Sequence, residues 1–313
     1  LFYQRFIDNK EITLFSPHSC PGLYESFGTD KFDDLYCRYE SDESIPRTTV
    51  GAQELILDLL KERSETGRIY IMNIDHCNSH SSFKDKVEMS NLCQEITLPT
   101  TPISHIDDHL GEIALCILSA VNVGKIRSDE ELEELCDLAV RGLEELIDYQ
   151  DYPVLAAEQA TKARRSLGVG FIGLAHYLAK LGYDYGSQEA WDAVHGLSES
   201  FQYYLLKASN EVAKEKGWCE NFGRTKYSDG ILPIDTYKKD VDEICTQKLQ
   251  HDWESLRASI LEHGLRHSTL SAQMPSESSS VVCNATNGIE PPRDYLSIKK
   301  SKKGPLKQIV PSY

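Results

Sequence analysis

The run Asn91-Leu92-Cys93-Gln94-Glu95 puts an amide, a thiol and a carboxylate at alternate positions of a 313-residue chain. In an extended segment successive side chains point to opposite sides, so this spacing predicts Asn91, Cys93 and Glu95 on one face and Leu92, Gln94 and Ile96 on the other. Such a face could take a hydrogen from a bound molecule through sulfur, accept a proton on the carboxylate and hold the molecule by hydrogen bonds to the amide. Cys116 lies 23 residues further on in an apolar run, where a cysteine on its own reads as a small core hydrophobe. That reading changes if Cys93 is a redox residue, because reduction of a substrate takes two electrons and a pair of thiols supplies them by closing a disulfide.

Three further motifs have competing readings. Gly168-Val169-Gly170-Phe171-Ile172-Gly173 matches the dinucleotide fingerprint letter for letter, but that fingerprint works only after a strand whose turn delivers pyrophosphate to a helix N-terminus. The preceding Thr161-Lys162-Ala163-Arg164-Arg165 is not a buried strand, so glycines that permit close helix packing are the preferred account. His76-Cys77-Asn78-Ser79-His80 holds three possible metal ligands but has no second ligand pair, and reads as a polar turn that could border an active site. Met274-Pro275-Ser276-Glu277-Ser278-Ser279-Ser280 has the composition of a helix start, which serves equally as a plain cap or as a phosphate cradle.

The elements that must position these residues read as α/β. Helical periodicity covers 48–64, closed by Gly67, and then 129–148, about 156–181, about 187–216 and 253–263, with a shorter helical stretch opened by Pro233. Residues 68–73 and 268–274 read as strands, and 111–119, apolar on both faces, as a strand of a parallel sheet covered by helices. Long helices alternating with short buried strands, without internal repeats or low-complexity linkers, predict a single α/β domain.

Composition narrows the function classes. A net charge of −16, from 33 Lys+Arg against 49 Asp+Glu, argues against a nucleic-acid partner. The one basic cluster, Lys299, Lys300, Lys302 and Lys303, lacks interleaved aromatics and reads as a solvated loop. No apolar run approaches the ~18 residues of a membrane span and no charged-then-apolar leader opens the sequence, so a cytoplasmic protein without a membrane partner is expected. The nine cysteines show no disulfide-framework spacing, and most are expected to be reduced. Opening on Leu1 and closing on Val310-Pro311-Ser312-Tyr313, the polypeptide reads as a piece of something longer.

With the motifs in order, residues 66–71, 76–78, 90–95, 111–119, 202–211, 230–239 and 268–292 resemble the catalytic large subunit of class I ribonucleotide reductases. The resemblance implies a ten-stranded α/β barrel made of two antiparallel halves, with the radical cysteine on a central finger loop and residues 1–313 forming one partial barrel domain, truncated at both ends. It implies that Cys93 is the thiyl-radical cysteine, Glu95 the general base and Asn91 the substrate-orienting amide, with Leu92 and Gln94 lining the same substrate site. Cys116 then corresponds to one member of the reducing dithiol, its partner lying upstream of this chain, and Pro275, Ser276, Glu277, Ser278 and Ser279 to the cradle for the substrate diphosphate. In the family's chemistry the thiyl radical takes the 3′-hydrogen of a ribonucleoside diphosphate, the carboxylate takes the 3′-hydroxyl proton, and the 2′-hydroxyl leaves as water.

The same resemblance implies no cofactor and no metal in this chain. A separate metal-containing small subunit would supply the radical, nucleotide effectors would bind in regions absent here, complementary large-subunit fragments would complete the barrel, and thioredoxin or glutaredoxin would supply electrons. The isolated chain is then expected to be inactive. Two other readings stand beside this one: a cobalamin-dependent reductase with the same Cys and Glu logic, and a non-catalytic interaction subunit that kept the fold.

Overall fold

In a computed structural model the chain is described over residues 1–302 and 304–311. It forms two compact units, 1–79 and 80–313. The first opens with α1 (Phe2–Ile7) and β1 (Glu11–Phe15), followed by α2 (Lys31–Ser41), β2 (Arg47–Gly51), α3 (Ala52–Thr66) and α4 (Ile74–His80), whose last residue lies just past the boundary. Strands β1 and β2 pair antiparallel, Glu11 opposite Gly51 and Phe15 opposite Arg47. The buried Tyr36 of α2 ties the helix to β1: its hydroxyl donates to the Thr13 carbonyl and accepts from the Thr13 amide, both at 2.7 Å.

The second unit carries the main core. It runs β3 (Ile117–Asn122), α5 (Asp129–Tyr149), α6 (Leu155–Arg164), β4 (Leu167–Ile172), α7 (Leu174–Leu181), α8 (Gln188–Lys216), the single turns α9 (Pro233–Thr236) and α10 (Val241–Ile244), α11 (Trp253–His263), α12 (Glu277–Val282), β5 (Leu296–Ser301) and β6 (Gly304–Ile309). Strands β3 and β4 are parallel, from Ile117 opposite Leu167 to Asn122 opposite Ile172, and are joined by the helical crossover that parallel pairing requires. Residues 269–272 run beside β4 as a third extended segment: the Leu167 amide donates to Thr269 O at 3.0 Å, Val169 to Leu270 O at 2.8 Å, and Ala272 to Val169 O at 3.2 Å.

Helices α5 and α8 cover this parallel group. Ser128 caps α5 by accepting from the Glu131 amide at 3.3 Å, with Asp129, Glu130 and Glu131 in the first turn opposing the helix dipole. Leu132, Cys136, Val140, Leu143 and Ile147 of its apolar stripe join Leu197, Phe201, Leu205, Ala208 and Val212 of α8 in one buried cluster with Val121, Leu167 and Val169.

Several local expectations are corrected. The stretch 156–181 is not one helix: Arg165 turns left-handed at φ 48°, and Leu167–Ile172 form β4. Glycine at 168, 170 and 173 weakens a helix while Val169, Phe171 and Ile172 suit a strand, and ladder bonds to neighbours on both sides decide the outcome. Residues 68–73 pair with no strand among the described residues and lead directly into α4. The predicted strand at 111–119 joins the ladder only from Ile117, and 268–274 contributes a bridge, Val169 to Ser271, rather than a full strand. Of the lysine cluster, Lys299 and Lys300 lie on β5 rather than in a loop and Lys302 in the turn after it; Lys303 and the Lys299 side chain lie outside the described residues. The architecture is mixed α/β, but its strands form three two-stranded sheets, and no closed barrel is present among the described residues.

Candidate active site

The Asn91–Glu95 run lies between Asp85 and Glu112, and its backbone is a turn rather than an extended strand. The Asn91 amide donates to Ile96 O at 3.4 Å, the Gln94 amide to Asn91 O at 3.2 Å, and the Ile96 amide to Asn91 Oδ1 at 3.1 Å. Gln94 takes a positive φ of 61°. Asn91 therefore spends its side-chain oxygen on closing its own loop, and the strand-like alternation expected of Asn91, Cys93 and Glu95 does not hold. On this turn Leu92 and Cys93 are exposed, Gln94 and Glu95 half-buried.

Glu95 turns inward. Its Oε2 is buried and accepts no hydrogen bond from the described residues. Its charge acts on the half-buried Cys116: burial, reinforced by the Glu95 carboxylate, pushes the Cys116 thiol up to about 12. The charge of Glu95 thus reaches Cys116, although 21 positions separate the two in sequence. Burial therefore favours the protonated thiol at neutral pH.

Gly168 explains how Cys116 fits beside β4. A methyl group at position 168 would lie 2.7 Å from Cys116 Sγ and 2.5 Å from Leu118 Cδ2. At Gly170 the same methyl would lie 2.4 Å from the Ala272 carbonyl oxygen. The glycines of the G-x-G-x-x-G match therefore admit neighbouring strand segments and the Cys116 side chain, where close helix packing was expected. Cys116 is a half-buried thiol packed against Gly168, within reach of the Glu95 charge.

The predicted helix start at 275–280 is present: Ser276 precedes α12, but its Oγ faces Met274 O at 3.4 Å and does not cap the helix. Ser276 is buried, while Pro275, Glu277, Ser278 and Ser279 are exposed. The strand register places Cys116 at the entry to β3 and Pro275 beyond the exit of the segment paired with β4. The strands thus carry the two regions on one scaffold without bringing them side by side. His76–His80 lie on α4, where Asn78 Nδ2 donates to Ile74 O at 2.8 Å, so the expected polar turn is a helix. Among the described residues no three His, Cys, Asp or Glu side chains gather as a metal site.

Two charged clusters escaped the sequence reading. Arg164 and Arg224 both bridge Asp85 and Glu112. Glu144, 1% exposed, accepts from Arg165 Nε at 2.7 Å and Arg266 Nε at 2.8 Å and contacts His267 Nε2 at 3.1 Å, while His267 Nδ1 lies 2.9 Å from Ser209 Oγ. With two guanidiniums already on Glu144, His267 is a neutral imidazole that donates through Nε2 and accepts from Ser209 through Nδ1. The only sequence signal for either cluster was the Arg164-Arg165 pair just ahead of a glycine-rich apolar run.

Across residues 1–313 the sequence matches the family model described as "Ribonucleotide reductase, barrel domain". The chain belongs to this ribonucleotide reductase family. Its relatives include the ribonucleoside-diphosphate reductase subunit alpha of Haemophilus influenzae, 59% identical, the ribonucleoside-diphosphate reductase 1 subunit alpha of Escherichia coli, 56% identical, and the ribonucleoside-diphosphate reductase subunit alpha of Enterobacteria phage T4, 45% identical. Each comparison covers 100% of this chain and 42% of the relative, so the chain spans less than half the length of these relatives. The family model runs through both compact units. No helix of the described residues is long and apolar enough to cross a membrane.

Proposed function

We propose that this chain is the active-site portion of a ribonucleoside-diphosphate reductase large subunit, and that it converts ribonucleotides to 2′-deoxyribonucleotides by thiyl-radical chemistry. The observation that carries the reading is the inward-turned Glu95 carboxylate, one oxygen buried without a hydrogen-bond donor among the described residues, on the same turn as the exposed Cys93 and with its charge reaching the Cys116 thiol. Cys93, as a thiyl radical, takes the 3′-hydrogen of the substrate. Glu95, whose buried oxygen has room for a proton, receives the one from the 3′-hydroxyl. The 2′-hydroxyl departs as water; Cys116 and a partner cysteine outside this chain supply two electrons and two hydrogens and close to a disulfide, and the 3′-hydrogen returns from Cys93.

Pro275, Ser276, Glu277, Ser278 and Ser279 hold the substrate diphosphate, and Asn91 with Leu92 and Gln94 lines the ribose side. Cys93 rides on the finger loop of a ten-stranded barrel completed by large-subunit segments outside this chain. A separate metal-containing small subunit generates the radical, and thioredoxin or glutaredoxin restores the dithiol. Work is done in the cytoplasm, without nucleic acid or membrane as a partner.

The test is substitution in a large subunit carrying this sequence, assembled with the radical-generating subunit, a ribonucleoside diphosphate and a dithiol reductant. Cys93→Ser is expected to yield no deoxynucleotide above background. Glu95→Gln is expected to leave substrate binding within about twofold and to slow turnover by about 10²-fold or more. Wild-type turnover by Cys93→Ser refutes the assignment.

A further inference from the structure

The catalytic turn lies in the 26 residues 86–111, a long excursion whose ends must be brought together and held. Asp85 stands at one end and Glu112 at the other. Arg164, at the end of α6, donates from Nη1 to Asp85 Oδ2 at 3.0 Å and from Nη2 to Glu112 Oε2 at 2.7 Å. Arg224 repeats the pattern from the other side, with Nε 2.9 Å from Asp85 Oδ2 and Nη1 3.0 Å from Glu112 Oε1. Each guanidinium therefore spans both carboxylates, and two positive charges match two negative ones in a closed ring.

Arg164 is 2% exposed and its guanidinium lies 5.7 Å from the Phe83 ring centroid, so the ring is anchored in the unit rather than floating on its surface. Backbone pairing extends it. The Lys84 amide donates to Arg224 O at 2.9 Å, the Lys226 amide to Ser82 O at 2.7 Å, and Thr101 and Glu112 exchange amide bonds at 3.0 and 2.9 Å. Arg164 also precedes β4 by three residues, and β4 is the strand whose Gly168 admits Cys116. One arginine thus links the base of the turn that carries Cys93 and Glu95 to the strand beside Cys116.

We propose that Arg164 and Arg224, acting through Asp85 and Glu112, are positioning residues: a charged clasp that holds the turn bearing Asn91, Cys93 and Glu95 in register with Cys116. The clasp touches no reacting atom. It matters because the ring is built on the buried Arg164, and removal of one of its partners leaves that guanidinium with half its compensation, so the loop base loosens. The inference rests on the reductase reading for its catalytic consequence, but its structural consequence is measurable without turnover.

The experiment uses the full-length large subunit with Arg224→Met, Arg224→Lys and the volume-conserving Asp85→Asn, each at a partly exposed arm of the ring. Amide exchange at Gln94 and Ile96 and alkylation of Cys116 are each expected to quicken by about tenfold in Arg224→Met and Asp85→Asn, and less in Arg224→Lys. In the assembled enzyme kcat is expected to fall by about tenfold or more while KM for the ribonucleoside diphosphate stays within about twofold, with Arg224→Lys recovering most of the loss. Unchanged exchange and alkylation in both Arg224→Met and Asp85→Asn overturn the clasp whatever the kinetics. If instead the wild-type assembly makes no deoxynucleotide, the functional reading fails, and exchange and alkylation still judge the clasp. Should Arg224→Met not fold, Asp85→Asn decides.

Discussion

Replacing Gly170 by alanine would drive a methyl group into backbone. The new Cβ would lie 2.4 Å from the Ala272 carbonyl oxygen and 3.0 Å from Met274 Sδ, whereas carbon and oxygen settle at about 3.3 Å or more. The sulfur can swing aside, but the oxygen cannot, because the residues on either side of its peptide are tied to β4: the Ala272 amide donates to Val169 O at 3.2 Å, and Gln273 Nε2 donates to Phe171 O at 2.8 Å. The segment 269–274 must therefore retreat by about 1 Å, at an overpacking cost near the upper end of about 1–3 kcal/mol. Alanine recovers about 0.5–1 kcal/mol of strand propensity, leaving a net loss of about 2 kcal/mol. In a unit of this size that lowers the melting temperature by about 4–8 °C. Urea titration followed by tryptophan fluorescence measures the loss directly. Gly142 on α5 supplies the control: it is exposed with open space around its Cβ position, so Gly142→Ala is expected to stabilise by up to about 1 kcal/mol. Equal stability of the Gly170→Ala variant and the wild type, or a larger loss in Gly142→Ala, refutes the close-approach account of the glycine-rich strand.

Acid and thiol chemistry give two more predictions. Burial alone would raise the Glu144 carboxyl, but hydrogen bonds from His267, Arg165 and Arg266 outweigh it and hold the group below its ordinary 4.5, while burial pushes His267 below 6.5. Both folded values are depressed, so the stability these groups give is complete above the unfolded values and drains as pH falls, first through His267 and then through Glu144. The denaturation midpoint is expected to drop steadily from pH 7 to pH 4, and Glu144→Gln to lose about 3 kcal/mol at pH 7 with a shallower acid slope; a midpoint that rises on acidification contradicts the assignment. Alkylation at pH 8 is expected to reach the exposed Cys37, Cys93 and Cys283 first, with Cys116, Cys136 and Cys219, all pushed up to about 12 chiefly by burial, reacting last. Glu95→Gln removes the charge beside Cys116 and should speed labelling there while leaving Cys136 and Cys219 unchanged; mass spectrometry of the labelled peptides reads this out, and equal rates at Cys116 in both proteins would remove Glu95 from its side.

The helices that cover the parallel strands were legible in the sequence because their determinants are local. Ser128, Ser187 and Asp252 each accept a bond from the amide three residues on, at the starts of α5, α8 and α11, and the apolar stripes behind them repeat at helical spacing. The candidate residues too could be picked out by type and by family resemblance. Their arrangement could not. Asn91–Glu95 reads as an alternating strand, yet an amide side chain that bonds its own backbone makes it a turn. Residues 167–172 read as part of a helix, yet partners at 117–122 and 269–272 make it a strand. The charge of Glu95 acts on Cys116, and Arg164 meets Asp85 and Glu112 across 79 and 52 positions. A helix is stabilised within a few residues of itself, so its pattern is written in one window of sequence, whereas a ladder or an ion pair gains its free energy only when distant segments arrive together. Residue type and helical period therefore belong to the sequence alone, and the pairing of carboxylate with thiol and of arginine with loop belongs to the tertiary fold.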